Sequence, residues 1–153
     1  MKRGLVLFMV CIAAMGWLGT TADAKNLSGE SAIQMEDMRR EIIDVSQAAR
    51  FEGSPQPRIT YSISDQVAGQ AVHISDDKIS LAARQVITIN CSYSPASANM
   101  DFGVIAPDGY FYFLNVEGGS INQSIRVSQS GSYAVAVRNN SSYTVSVVGF
   151  VTY

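Results

Sequence analysis

Nucleophilic catalysis in this chain would have to run through a single histidine. His73 is the one imidazole in the sequence. Any Ser-His-Asp or Cys-His arrangement must use it, because a hydroxyl or thiol is a weak nucleophile until an adjacent base takes its proton. His73 alternates with Val72 and Ile74, which reads as the outward position on a strand whose other face is apolar. Cys91 shares its strand face with Ile87 and Ile89 and reads as a small core residue. A zinc site has no set of histidine and cysteine ligands to draw on. Glycoside hydrolysis needs two carboxylates across a cleft, and the region after residue 57 offers Asp65, Asp76, Asp77, Asp101, Asp108 and Glu117. Asp76, Asp77 and Asp108 fall in turn sequences, where aspartate hydrogen-bonds the local backbone. Asn99 and Asp101 project from one strand face and could give two oxygen ligands to calcium, a hard cation that wants several. Calcium is the one cofactor these residues suggest. The expectation is a protein that is not an enzyme.

The densest run of binding chemistry is Tyr110-Phe111-Tyr112-Phe113-Leu114. In a strand, Phe111 and Phe113 share one face while Tyr110, Tyr112 and Leu114 share the other. Both faces are aromatic, so one must cover the core and the other is either exposed or covered. An exposed Tyr110–Tyr112 pair would be a platform for a sugar ring or a protein partner, since a ring with a polar tip suits half-wet contacts.

These residues must be carried by an exported domain. Lys2 and Arg3, the apolar run Leu5 to Leu18 and the small-x-small site Ala22-Asp23-Ala24 form a signal peptide over 1–24. Its apolar stretch is about 14 residues, short of the roughly 20 that span a bilayer as a helix, so no stable membrane insertion is expected after cleavage. The full chain has 153 residues, with eleven Lys and Arg against thirteen Asp and Glu. Losing Lys2, Arg3 and Asp23 leaves nine against twelve, a net charge of −3. No basic patch is visible, which argues against nucleic acid as a partner. Cleavage also removes Cys11, so Cys91 is left without an intrachain partner and the domain must rest on packed apolar surface.

Two periods divide what remains. In residues 25–57 the period is helical. Ser31 and Gln34 form a capping box, and Met35, Met38, Ile42, Val45 and Ala49 recur as one apolar stripe. This predicts an amphipathic helix to about Arg50, broken by Gly53, Pro55 and Pro57, which lies on the following domain, self-associates through its stripe, or serves as a mobile leader or pro-segment. In residues 58–153 the period becomes two: Ile59, Tyr61, Ile63; Ile87, Ile89, Cys91, Tyr93; Tyr133, Val135, Val137; Tyr143, Val145, Val147. Turn sequences such as Pro107-Asp108-Gly109 and Glu117-Gly118-Gly119 fall between the runs. Seven to nine short strands at this spacing predict an all-β, antiparallel β-sandwich of jelly-roll or immunoglobulin-like type.

Residues 85–149 resemble the bacterial pre-peptidase C-terminal domain. The resemblance lies in Val86-Ile87-Thr88-Ile89, in the strand Asn99 to Ile105, in the Pro107-Asp108-Gly109 turn, in Gly131-Ser132-Tyr133-Ala134-Val135 and in Tyr143 to Val147. It implies an exported accessory sandwich, often joined to a secreted enzyme. Asn99 stands where the family's motif has its first aspartate, a departure that weakens a carried-over calcium role. The expected function is a secreted, non-enzymatic binding module. Its partner is either a protein or a cell-wall glycan held by Tyr110 and Tyr112. A further alternative is a cell-surface protein that self-assembles through Met35, Met38, Ile42 and Val45 within residues 31–50, or through exposed edge strands.

Overall fold

The computed structural model describes residues 31–51, 55–56 and 60–153. The signal peptide expected over 1–24 lies outside them. The described elements are β1 (Ile33–Gln34), a 3-10 turn (Met35–Asp37), β2 (Arg39–Ile42), β3 (Ala49–Phe51), β4 (Pro55–Gln56), β5 (Thr60–Val67), β6 (Val72–Ser75), β7 (Ile79–Leu81), β8 (Val86–Ser94), β9 (Met100–Ile105), β10 (Tyr110–Val116), β11 (Ser120–Arg126), β12 (Gly131–Asn139) and β13 (Val145–Thr152). They form two sheets, one in the order β1-β11-β8-β13-β5-β4 and the other in the order β2-β10-β9-β12-β6-β3, with β7 paired to β12 beside them. The all-β sandwich expected from the period-two runs is the observed fold. Most pairs are antiparallel, but β1 joins β11 and β3 joins β6 in parallel.

Alternation builds the first sheet directly. On β8, Ile87, Ile89, Cys91 and Tyr93 are buried while Thr88, Asn90, Ser92 and Ser94 are half-buried or exposed. On β13, Val145, Val147 and Val151 point into the core. Branched and aromatic side chains suit a pleated, half-buried surface. The space between the sheets is filled by Tyr61, Ile63 and Ile89 from the first sheet and by Phe102, Tyr133 and Val135 from the second.

The helix expected from the stripe in residues 31–50 is not formed. Residues 33–34, 39–42 and 49–51 are strands, and the helical character is confined to the 3-10 turn at Met35–Asp37. A helix in a protein draws most of its stability from packing an apolar face rather than from its own propensity, and here the free edge of β10 competes for the same backbone. Arg39, Arg40, Glu41 and Ile42 pair with Phe113, Tyr112, Phe111 and Tyr110 respectively. The stripe is thereby divided: Met35 and Met38 enter the main core, while Ile42 and Val45 are exposed. The segment is built into both sheets, through β1 in one and β2 and β3 in the other.

Cys91 is buried in the core, as its strand face implied. Burial pushes its thiol from an ordinary 9.0 up to about 12, with a small opposing effect from a backbone hydrogen bond at Phe150. The folded-state value lies above the unfolded one, so the protonated thiol favours the fold below pH 9 and that contribution is lost as pH rises towards 12. Near pH 10.5 the loss should be about 2 kcal/mol. Urea unfolding at neutral and alkaline pH measures it. Cys91→Ala should show a shallower alkaline decline than the natural chain, and identical declines would refute the assignment.

Candidate functional site

The aromatic run of β10 places its two faces in different surroundings. Tyr110, Tyr112 and Leu114 turn towards the main core between the sheets, whereas Phe111 and Phe113 point to the outside of the second sheet. That outside face has its own apolar layer. Phe111 and Phe113 stack at 5.1 Å between ring centres, beside Ile74, Ala134 and Ala136, with Ile43 and Ala48 packed against them. Those last two residues belong to the N-terminal segment, which covers this face in place of a helix.

Tyr112 is therefore buried rather than part of a bare pair. Its hydroxyl donates to Asp108 Oδ2 at 2.7 Å. Burial, then the bond to Asp108, holds its phenol above the ordinary range, while Arg40 opposes the shift. Tyr110 is half-buried, and its ring meets that of Tyr112 edge-on at 6.4 Å. Its backbone N–H donates to Asp108 Oδ1 at 3.1 Å, which closes the turn after Pro107. The Arg40 guanidinium lies over the Tyr110 ring, 5.2 Å from its centre. It also interacts with the Tyr112 hydroxyl, the largest of the effects that raise its pKa.

These contacts converge on one edge of the second sheet. β2 ends the strand order there, and all four of its residues are exposed. Ile42, opposite Tyr110 in the register, is 70% exposed, and Val45 is 42% exposed. Beside them is a concavity of about 280 Å³ whose lining includes Ile43, Val45, Lys78, Pro107 and Gly109. Arg39 and Arg40 are exposed on this edge, Glu41 is paired with Arg138 at 2.7 Å, and Asp44 and Asp108 place carboxylates alongside. Arginine on a sheet edge discourages uncontrolled strand addition. Arginine and tyrosine are the residue types enriched at the energetic centres of protein interfaces. The sequence had singled out Tyr110, Ile42 and Val45 separately, but the strand pairing that joins them to Arg40 carries no local signal.

Asn99 and Asp101 do lie together, within a network rather than an open ligand set. Asp101 is 1% exposed and accepts from Arg138 Nε at 2.7 Å, Asn115 Nδ2 at 2.6 Å and Asn140 Nδ2 at 2.8 Å. Asn99 Oδ1 accepts from Asn115 Nδ2 at 2.8 Å and Asn140 Nδ2 at 3.0 Å. Its amide nitrogen donates to Glu117 Oε1 at 2.8 Å. Arg138 connects this network to Glu41 on β2 and lies 4.6 Å from the Phe113 ring centre. Burial would lower the Arg138 pKa, but the bonds and charges of Glu41 and Asp101 outweigh it and raise it. The cluster ties β2, at the sheet's edge, to β9 and β12 through Glu41, Arg138 and Asp101.

His73 does not point to solvent. Val72 and Ile74 face the covered outside layer, so His73 turns inward, is buried, and meets Asp65 of the opposite sheet through Nδ1 and Oδ2 at 2.5 Å. The alternation holds in the opposite sense to the one expected, because the face with the aliphatic residues is the outer one. Among the described residues no hydroxyl or thiol is hydrogen-bonded to its ring, the contact an activated nucleophile would need. The pair joins the two sheets across the core edge.

No family model matches the chain, and no curated protein sequence matches it. Among solved structures, the chain is similar to the crystal structure of Aeromonas hydrophila PliG, a periplasmic lysozyme inhibitor of g-type lysozyme. The two superpose with a TM-score of 0.52 at 14% sequence identity, over 69% of this chain and 96% of that one. The likeness is one of fold.

Proposed function

We propose that the chain is an exported, non-enzymatic binding module that docks a protein partner through the edge formed by Arg40, Ile42, Val45 and Tyr110. The observation that carries this reading is the exposure of Ile42 and Val45 beside an arginine stacked on a tyrosine. Arginine and tyrosine are enriched among the residues that carry most of the energy in protein interfaces, and Ile42 and Val45 add exposed apolar area beside them. The exposed Arg40 suits a partner whose cleft presents a carboxylate, with which a guanidinium makes a strong charge-assisted pair. A glycan-cleaving enzyme has such a cleft, because two carboxyl groups flank the bond it breaks. The similar fold of a periplasmic inhibitor of g-type lysozyme supports an inhibitor of this kind. The Lys2-Arg3 start, the apolar run and the Ala22-Asp23-Ala24 site support delivery to the compartment where such an enzyme acts.

The test is to add the purified chain to a g-type lysozyme and follow the clearing of suspended peptidoglycan. The natural chain should slow the clearing. Arg40→Ala combined with Ile42→Ser should raise the half-inhibiting concentration by about 10- to 100-fold, because each anchor contributes at least about 1 kcal/mol. An unchanged rate at a large molar excess of the natural chain would reject the inhibitor reading. Equal inhibition by the double variant would reject this edge as the docking site.

A further inference from the structure

The outside of the first sheet has a composition unlike the docking edge. Its central strand β13 presents Val148, 56% exposed, and Phe150, 43% exposed, two residues apart on the solvent side. They stand about 6.7 Å apart along the strand. Phe150 is flanked in the register by Asn90 and Ser62, and Val148 by Ser92 and Ser64. On β5, β8 and β13 the outward positions hold no ionisable side chain: serine, threonine, asparagine and glutamine occupy nearly all of them. Thr88 and Ser124 hydrogen-bond across strands at 2.8 Å, which holds part of this surface as a fixed array. A groove of about 190 Å³ runs beside Val148, lined by Ser92, Ser94 and Ser146 among others.

Protein interfaces are depleted in serine and enriched in arginine and large aromatics, so this face does not have the composition of a protein-docking surface. Arg126, at the far end of β11, is an ionisable side chain on the outward face of this sheet, and the strands around Phe150 offer no charge to attract an anionic chain. Rows of hydroxyl and amide groups around an exposed ring match a ligand that is itself neutral and rich in hydroxyls. Phe150 can lie against the C–H face of a sugar ring while Asn90, Ser62 and Ser64 exchange hydrogen bonds with its hydroxyls.

We infer that this face binds a neutral polysaccharide chain, with Phe150 and Val148 as the apolar ridge and Asn90, Ser62, Ser64 and Ser92 as the polar flanks. It lies on the sheet that does not contain β2, so the module can hold a glycan and a protein partner at once.

Retention of the intact chain on insoluble chitin and insoluble cellulose, at low and high salt, tests this without any enzyme partner. The chain should be retained on at least one of them, equally at both salt levels, because no charge takes part. Phe150→Ser should weaken retention by about tenfold, the effect of losing one ring contact, and Val148→Ser should weaken it less. Both positions are exposed, and thermal melts should show the variants folded. The inference is overturned if neither polysaccharide retains the natural chain, if high salt releases it, or if both variants bind as the natural chain does. It is also overturned if light scattering shows a dimer that Phe150→Ser dissolves, since a second copy would then occupy the face.

Discussion

Arg138→Ala should destabilise the fold by about 3–5 kcal/mol, because it leaves the buried carboxylate of Asp101 without its countercharge. Asp101 is 1% exposed and the Arg138 side chain 18% exposed, so water can replace little of what is lost. Asn115 and Asn140 would remain as donors, but neutral amides do not balance a buried charge. The same change removes the bond from Arg138 to Glu41 and the guanidinium over Phe111 and Phe113, so β2 should loosen first. Urea unfolding measures the total. Adding Asp101→Asn to Arg138→Ala should restore part of the loss, since no charge is then left buried. A single-variant change below about 1 kcal/mol would mean that the pair behaves as an exposed one.

Gly103→Ala is expected to be more damaging than any surface change. An added Cβ at Gly103 would sit 1.8 Å from Tyr112 O and 2.8 Å from Phe113 Cα, both atoms of the paired strand β10. Backbone cannot rotate aside as a side chain can, so β9 and β10 would have to separate where the aromatic run is anchored. The effect belongs with the exceptional class above about 4 kcal/mol, seen as failure to accumulate folded protein or as a collapsed melting transition. Gly109→Ala is the contrasting control. Nothing lies within 4 Å of a Cβ there, and the φ of +85° in the β9–β10 turn is the sole obstacle. It should cost about 1 kcal/mol. Equal stability of Gly103→Ala and Gly109→Ala would show that β9 and β10 are not packed this closely.

The sheets were legible in the sequence wherever one face is wet. β8 alternates cleanly because Thr88, Asn90 and Ser92 meet solvent opposite Ile87, Ile89 and Cys91, whereas β13 does so only at its start, since Val148 and Phe150 face outward. The second sheet was harder to read because both of its faces are covered. A covered outer face makes Val72 and Ile74 resemble core residues, so His73 was expected outside when it lies inside against Asp65. Phe111 and Phe113 raised the same ambiguity, and only the packing of Ile43 and Ala48 resolves it. The N-terminal segment was misread for a related reason. Spacings of three and four among Met35, Met38, Ile42 and Val45 suit a helix, but a strand, a turn and a second strand can dispose the same residues on different surfaces. Met35 and Met38 went to the core and Ile42 and Val45 to the surface, an arrangement decided by the open edge of β10. Long-range pairing of this kind leaves no local periodicity to read. The candidate edge was thus visible only in pieces, as two stripe residues and one tyrosine, with Arg40 unnoticed.

The most direct test of the docking edge is amide hydrogen exchange of the chain with and without saturating amounts of the enzyme proposed as its partner. Exchange should slow at residues 39–45 and 107–112, where Arg40, Ile42, Val45 and Tyr110 lie, and stay unchanged along β5 and β13. Protection confined to other surfaces, with residues 39–45 exchanging as in the free chain, would contradict it.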